Sequence, residues 1–310
     1  MTATQATQTR LERRRPAEQT RARLPDAEGH VERDGVRVGW ERHGDGDPTL
    51  LLLPAWSVVH SRQWKAQVPY LARHYRVVTF DGRGNGRSDR PPTAAAYDDD
   101  QYVADAEAVL DATGTGRGVL VGLSRGGRWA VELAATRPER AQGAVLIAPA
   151  IPFMAPLPHR QAFSFDEELD TTEGWAKFNR HYWRREYRDF LEFFASEVYS
   201  ESHSTKQVED FAGWGLETNP ETLTLTQLGA QPTSRSEMEA ILARVRCPVL
   251  VVHGSDDQVR PHAVGAAAAE LTGGRLVTIE GGGHCPQARH PVIVNLLIRE
   301  FIDTLGGMAR

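Results

Sequence analysis

Apolar residues in this chain fall into short, dense runs separated by polar, glycine-bearing connections. Residues 31–42 alternate in the manner of two short strands turning at Asp34-Gly35, a strong hairpin signal. Residues 49–54, 75–80, 118–123, 143–148, 248–253 and 275–280 each form a near-continuous apolar or β-branched run, the composition of strands buried on both faces of a parallel sheet. Between them, residues 61–73, 98–112, 127–136, 263–271 and 291–304 carry helical patterning. Strand and helix in alternation, joined by short connections, predict an α/β fold: a mostly parallel, doubly wound sheet with helices on both faces.

The alternation stops between residues 152 and 244. There Phe178, Tyr182, Trp183, Tyr187, Phe190, Leu191 and Phe194 recur at helical spacing, which predicts an amphipathic helix within a helical insertion. The expected organisation is a mobile N-terminal arm (1–29), an α/β core (30–151 and 245–310) and a helical cap (152–244). The arm is rich in Thr, Gln and Arg, with Pro16 and Pro25, and reads as a solvated tail.

Composition narrows the function classes. The 310 residues carry a net charge of −5, which argues against a nucleic-acid binder with a basic face. None of the apolar runs reaches the ~20 residues of a membrane span, and no apolar stretch follows Arg13 to Arg15 as a secretory leader requires. Two cysteines, Cys247 and Cys285, make a disulfide framework improbable, so a cytoplasmic protein is expected. The expected partner is a small-molecule substrate, with neither membrane nor nucleic acid; monomer and homodimer both stay open.

Candidate chemistry concentrates after the strands. Gly122-Leu123-Ser124-Arg125-Gly126 has the form G-x-S-x-G between a predicted strand and a predicted helix. Glycines there allow a sharp turn that lifts the serine hydroxyl above the sheet. A serine needs a base, and the base needs an orienting carboxylate. The run 248–253 is followed by Asp256 and Asp257, and the run 275–280 by Gly283-His284-Cys285-Pro286. Ends of parallel strands face one edge of the sheet, so all three groups fall on the same rim. His253, Asp256, Asp257 and His284 match no standard metal-ligand spacing, and no metal or other cofactor is expected. The glycine-rich stretch from Asp81 to Asp89 follows a strand, but Pro91 and Pro92 follow it where a phosphate site needs a helix N-terminus.

With its Ser, Asp, His order, the chain resembles the α/β-hydrolase fold superfamily, of the capped serine esterase, haloperoxidase and C–C hydrolase type, over residues 30–305. The resemblance implies Ser124 as nucleophile, His284 as base and Asp257 as acid, on the spacing Gly254, Asp257, Pro261, with Asp256 as the alternative acid. It also implies an oxyanion hole from the backbone N–H groups of Arg125 and Trp56, although Pro54-Ala55 stands where the family has a His-Gly pair. The stretch Asp81 to Asp89 then reads as a structural brace, and Cys285 as a buried filler. Trp56, His60, Phe178, Tyr182 and Trp183 are candidates for the substrate pocket. The activity implied is hydrolysis of an ester or lactone of a small to medium, largely apolar acyl compound. C–C bond hydrolysis, acyl transfer or perhydrolysis by the same residues is the alternative. A weaker likeness of residues 52–89 to hydrolase-like modules attached to bacterial nucleotide cyclases leaves a non-catalytic ligand-binding module as the contrasting expectation.

Overall fold

Eight strands form one sheet: β1 (Ala27–Arg33), β2 (Val36–His43), β3 (Thr49–Leu52), β4 (Arg76–Phe80), β5 (Gly118–Leu123), β6 (Ala141–Ile147), β7 (Val249–Gly254) and β8 (Arg275–Ile279). The computed structural model describes residues 23–153, 157–161 and 163–308, so most of the expected N-terminal arm lies outside the described residues. The strand order is β1-β2-β4-β3-β5-β6-β7-β8. β3 to β8 run parallel, and β2 is antiparallel both to β1 and to β4. This is the mostly parallel α/β sheet expected from the apolar runs.

Local chemistry explains the elements. Asp34 (φ 54°) and Gly35 (φ 75°) both sit in the left-handed region, the backbone of a tight hairpin turn. The central strands β3, β5 and β7 are buried at every position. Alternate residues serve two cores, one on each face. Leu50 and Leu52 of β3 pack with Val119, Val121, Val252 and the C-terminal helix Pro291–Met308. Leu51 and its neighbour Leu53 pack with Leu120, Val251 and helices Asp99–Ala112 and Arg125–Thr136. Each such leucine contributes about 1.5–3 kcal/mol by leaving water, which is why these runs carry almost no polar residue.

Three boundaries differ from the sequence reading. β1 starts at Ala27, inside the stretch expected to be an arm. The helix expected over 61–73 is two single turns, Ser61–Trp64 and Val68–Leu71. The aromatic stripe 178–194 is not one helix: helices Arg180–Arg185 and Tyr187–Val198 meet at Glu186, whose φ of −135° and ψ of 54° break the spiral. Helical spacing survives because the two pieces face the same cluster. The insertion continues with helices Thr205–Gly215, Pro220–Leu228 and Arg235–Leu242. The last of these sends Met238 and Leu242 into a sheet-face core, not among the aromatic residues.

Candidate active site

Ser124 stands between β5 and helix Arg125–Thr136 with φ 54° and ψ −117°, a conformation that costs a non-glycine residue about 1–3 kcal/mol. The flanking glycines make the turn possible. A Cβ on Gly122 would sit 2.1 Å from the Gly126 carbonyl oxygen, and one on Gly126 would sit 2.1 Å from the Pro54 carbonyl oxygen. Any side chain at either position collides with backbone, so the sharp turn and the two glycines are one requirement.

Asp257 and His284 come from the connections after β7 and β8. These two loops are tied together by Ser255 N–H to Ile279 O at 3.0 Å and Asp256 N–H to Gly282 O at 3.0 Å. Gly254 permits the approach, since a Cβ there would lie 2.0 Å from the Gly282 oxygen. His284 Nδ1 then lies 2.8 Å from Asp257 Oδ2. The same oxygen is 3.0 Å from Nε2 of His253, a fully buried histidine at the end of β7. Asp257 Oδ1 accepts from the N–H groups of Val259 (2.7 Å) and Arg260 (2.8 Å). A carboxylate only accepts, so both imidazoles present an N–H to it. Burial alone would push the Asp257 carboxyl up. The His284 charge and the hydrogen bonds from both histidines outweigh burial and hold it well below the usual carboxylate range. Asp256, by contrast, is exposed.

Ser124 and His284 line one cavity, together with Trp56, Arg125 and Phe178. Among the described residues, the backbone N–H groups of Trp56 and Arg125 donate to no backbone carbonyl. The Trp56 indole N–H donates to Thr226 Oγ1 at 2.8 Å, and its ring meets Phe194 edge-on at 5.4 Å. The loop after β3 is thus anchored through Trp56 to helix Pro220–Leu228.

Of the five expected pocket residues, Trp56 and Phe178 line the cavity; His60, Tyr182 and Trp183 do not. The His60 ring is buried between Asp81 (3.9 Å) and Glu217 (3.4 Å). Tyr182 donates to Asp189 at 2.6 Å. Trp183 is fully buried, its indole N–H held by the Lys177 carbonyl at 3.1 Å. His60 is expected at the pocket from its place soon after Trp56, and Tyr182 and Trp183 from the aromatic stripe; neither signal fixes the direction of a side chain within a cluster. Absent from the sequence reading were Arg160, Arg260 and His253 as neighbours of the site. His253 ends strand β7, Arg160 lies in a single helical turn and Arg260 in the loop after β7, and no periodicity marks their side chains as facing the site.

The glycine-rich stretch after β4 braces the loops around the cavity. Asp81 accepts from the N–H groups of Ser61 (3.0 Å) and Arg87 (2.9 Å). Arg83 forks onto Asp105 at 2.6 and 2.8 Å, and Asn85 reaches the Ser57 and Trp214 carbonyls. Cys285 lines the cavity, but burial pushes its thiol up to about 12, so it holds its proton at neutral pH. Among the described residues, no group of three or more His, Cys, Asp or Glu is arranged to hold a metal ion, and no helix is long and apolar enough to cross a membrane.

Comparison with known proteins agrees with this architecture. Residues 48–291 match the model of the alpha/beta hydrolase fold family, and the chain belongs to that family. A pimeloyl-[acyl-carrier protein] methyl ester esterase of Xanthomonas oryzae pv. oryzae is 30% identical over 272 residues, covering 83% of this chain and 96% of that protein. A non-heme chloroperoxidase of Streptomyces lividans is 27% identical over 277 residues, covering 87% and 98%. A solved esterase from Rhodococcus sp. superposes with a TM-score of 0.72 at 26% identity, covering 89% of this chain and 98% of its own. The relatives include esterases and hydrolases, and the chain is an enzyme of the alpha/beta hydrolase family.

Proposed function

We propose that the chain is a serine hydrolase that cleaves an ester or lactone of a small to medium, largely apolar acyl compound. In this reading Ser124 Oγ attacks the carbonyl carbon while His284 Nε2 takes the hydroxyl proton. Asp257 holds the imidazole in the tautomer that leaves Nε2 free, and stabilises the imidazolium that forms. The N–H groups of Trp56 and Arg125 receive the negative charge that develops on the carbonyl oxygen. His284 returns the proton to the leaving alkoxide. A water molecule, deprotonated in its turn by His284, then splits the acyl-enzyme and restores Ser124.

The observation that carries the reading is the 2.8 Å contact of His284 Nδ1 with Asp257 Oδ2, made by a histidine that shares a cavity wall with Ser124. Support comes from the apolar walls, among them Val59, Phe194 and Phe211, which suit an acyl chain. The esterase name of the Xanthomonas relative points the same way. The direct test uses an activated ester such as 4-nitrophenyl butyrate. Ser124→Ala is expected to lower kcat/KM by roughly 10⁴–10⁶-fold with an unchanged unfolding curve. Equal rates in the variant and the unmutated protein contradict the reading.

The chloroperoxidase name of the Streptomyces relative favours one second use of the same acyl-enzyme. Hydrogen peroxide in place of water gives a peracid and free Ser124, with the same proton traffic through His284.

A further inference from the structure

The cavity beside Ser124 gathers positive charge that carboxylates offset only from a distance. Three arginines line it: Arg125, Arg160 and Arg260. Arg125 is met by neutral groups, donating to the Thr226 carbonyl at 2.9 Å and to Gln227 Oε1 at 2.5 Å. Arg160 donates to the Val259 carbonyl and lies 4.3 Å from the centre of the Trp175 ring. Arg260 has less: its Nε is buried with no partner among the described residues. None of the three has a carboxylate within 4.0 Å among the described residues, whereas nearby Arg128 pairs with Asp99 at 2.6 Å. The carboxylate of the site, Asp257, already accepts from two imidazoles and two backbone N–H groups.

Arg260 is half-buried with its Nε shut off from water, and a partly desolvated cation without a counter-charge in contact is destabilised. Burial first, and then the neighbouring Arg160 and Arg128, press against the charge of Arg260, and Asp257 offsets them only in part. A bound anion relieves that cost. Among the described residues no hydrogen-bond partner meets the guanidinium of Arg260, and its fork matches the two oxygens of a carboxylate. Much of the remaining lining is apolar, with Val59, Phe178, Phe194 and Phe211, although Gln63, Tyr199 and Gln227 also face the cavity.

We propose that the substrate is an ester or lactone with an apolar body and a free carboxylate, and that Arg260, with Arg160 beside it, binds that carboxylate. The proposal rests on the reading of Ser124 as an ester-cleaving nucleophile and names the substrate class for it.

The test separates the two. Ser124→Ala protein, with Arg260 intact, is titrated calorimetrically with monomethyl glutarate and with dimethyl glutarate, which differ in one negative charge. The monoanion is expected to bind about 10- to 100-fold more tightly, the range of a charge-assisted contact. Arg260→Met in the same background is expected to bring the two affinities together, and Arg260→Lys to retain part of the difference. Equal affinities with Arg260 intact overturn the anion site, as does a preference that survives Arg260→Met unchanged. If Arg260 serves only to steady Asp257, both ligands bind alike, which overturns the proposal. Turnover of 4-nitrophenyl butyrate reports separately on Ser124, so loss of the ester reading leaves the binding comparison to decide the anion site.

Discussion

His253 Nε2 lies 3.0 Å from Asp257 Oδ2, the oxygen that His284 Nδ1 approaches at 2.8 Å, so one buried carboxylate oxygen serves two imidazoles. Room for the second ring comes from Gly265, where a Cβ would lie 2.4 Å from His253 Nδ1. Among the described residues that nitrogen is buried with no partner, which fits a ring whose single N–H points at Asp257. His253→Ala removes a donor from a buried charge and opens a cavity. It is expected to cost about 2–4 kcal/mol of stability, measured by urea unfolding, and to lower kcat/KM less than loss of His284 does.

Asp257 and Asp256 are adjacent in sequence but not in role. Asp257→Asn keeps the shape and leaves His284 without its acceptor. A fall of about 10⁴-fold in kcat is expected. Asp256→Asn, at an exposed position, is expected to stay within about twofold. Steady-state kinetics of the two variants on one ester decides between them.

The turn at Ser124 sets a stability prediction. Gly122→Ala places a methyl group 2.1 Å from the Gly126 carbonyl oxygen, and neither backbone segment has room to yield. A loss of about 3 kcal/mol or more is expected, read from the denaturation midpoint.

Glu132, in helix Arg125–Thr136, sets the pH dependence of stability. Burial first, and then the charge of Asp99, push its carboxyl up, although Arg128 lies 3.8 Å away. Between the ordinary carboxylate range and the raised folded value, the native state binds more protons than the unfolded chain. Stability is therefore fully present at acid pH and is lost as pH rises through that window. Glu132→Gln is expected to flatten the decline and, at pH 9, to exceed the unmutated protein by on the order of 1–2 kcal/mol. Chemical denaturation at pH 5, 7 and 9 checks the sign.

Much of the fold was legible because burial on two faces leaves strands such as 118–123 without polar residues, and β5 has those bounds. The turn at Ser124 was legible because its glycines are a steric necessity. The insertion was less so. Its aromatic residues mark a buried cluster, but the break at Glu186 is a backbone event that helical spacing does not register. Trp183 and His60 carry the residue types of a pocket and are spent on packing and on bridging buried Asp81 to half-buried Glu217. Arg160 and Arg260 reach the cavity from beside the connections after β6 and β7, where side-chain direction depends on tertiary contacts alone. His253 entered the sequence reading only as a possible metal ligand; its hydrogen bond to Asp257 required the loop after β7 to fold back on its own strand.

The central claim is that Ser124 is a nucleophile activated by His284. Intact-mass spectrometry after exposure to a fluorophosphonate measures this directly. One phosphonyl adduct per chain is expected, located on Ser124, absent in Ser124→Ala and formed far more slowly in His284→Ala. A folded protein that takes up no label at high reagent concentration, or an adduct that persists in Ser124→Ala at the same rate, contradicts it.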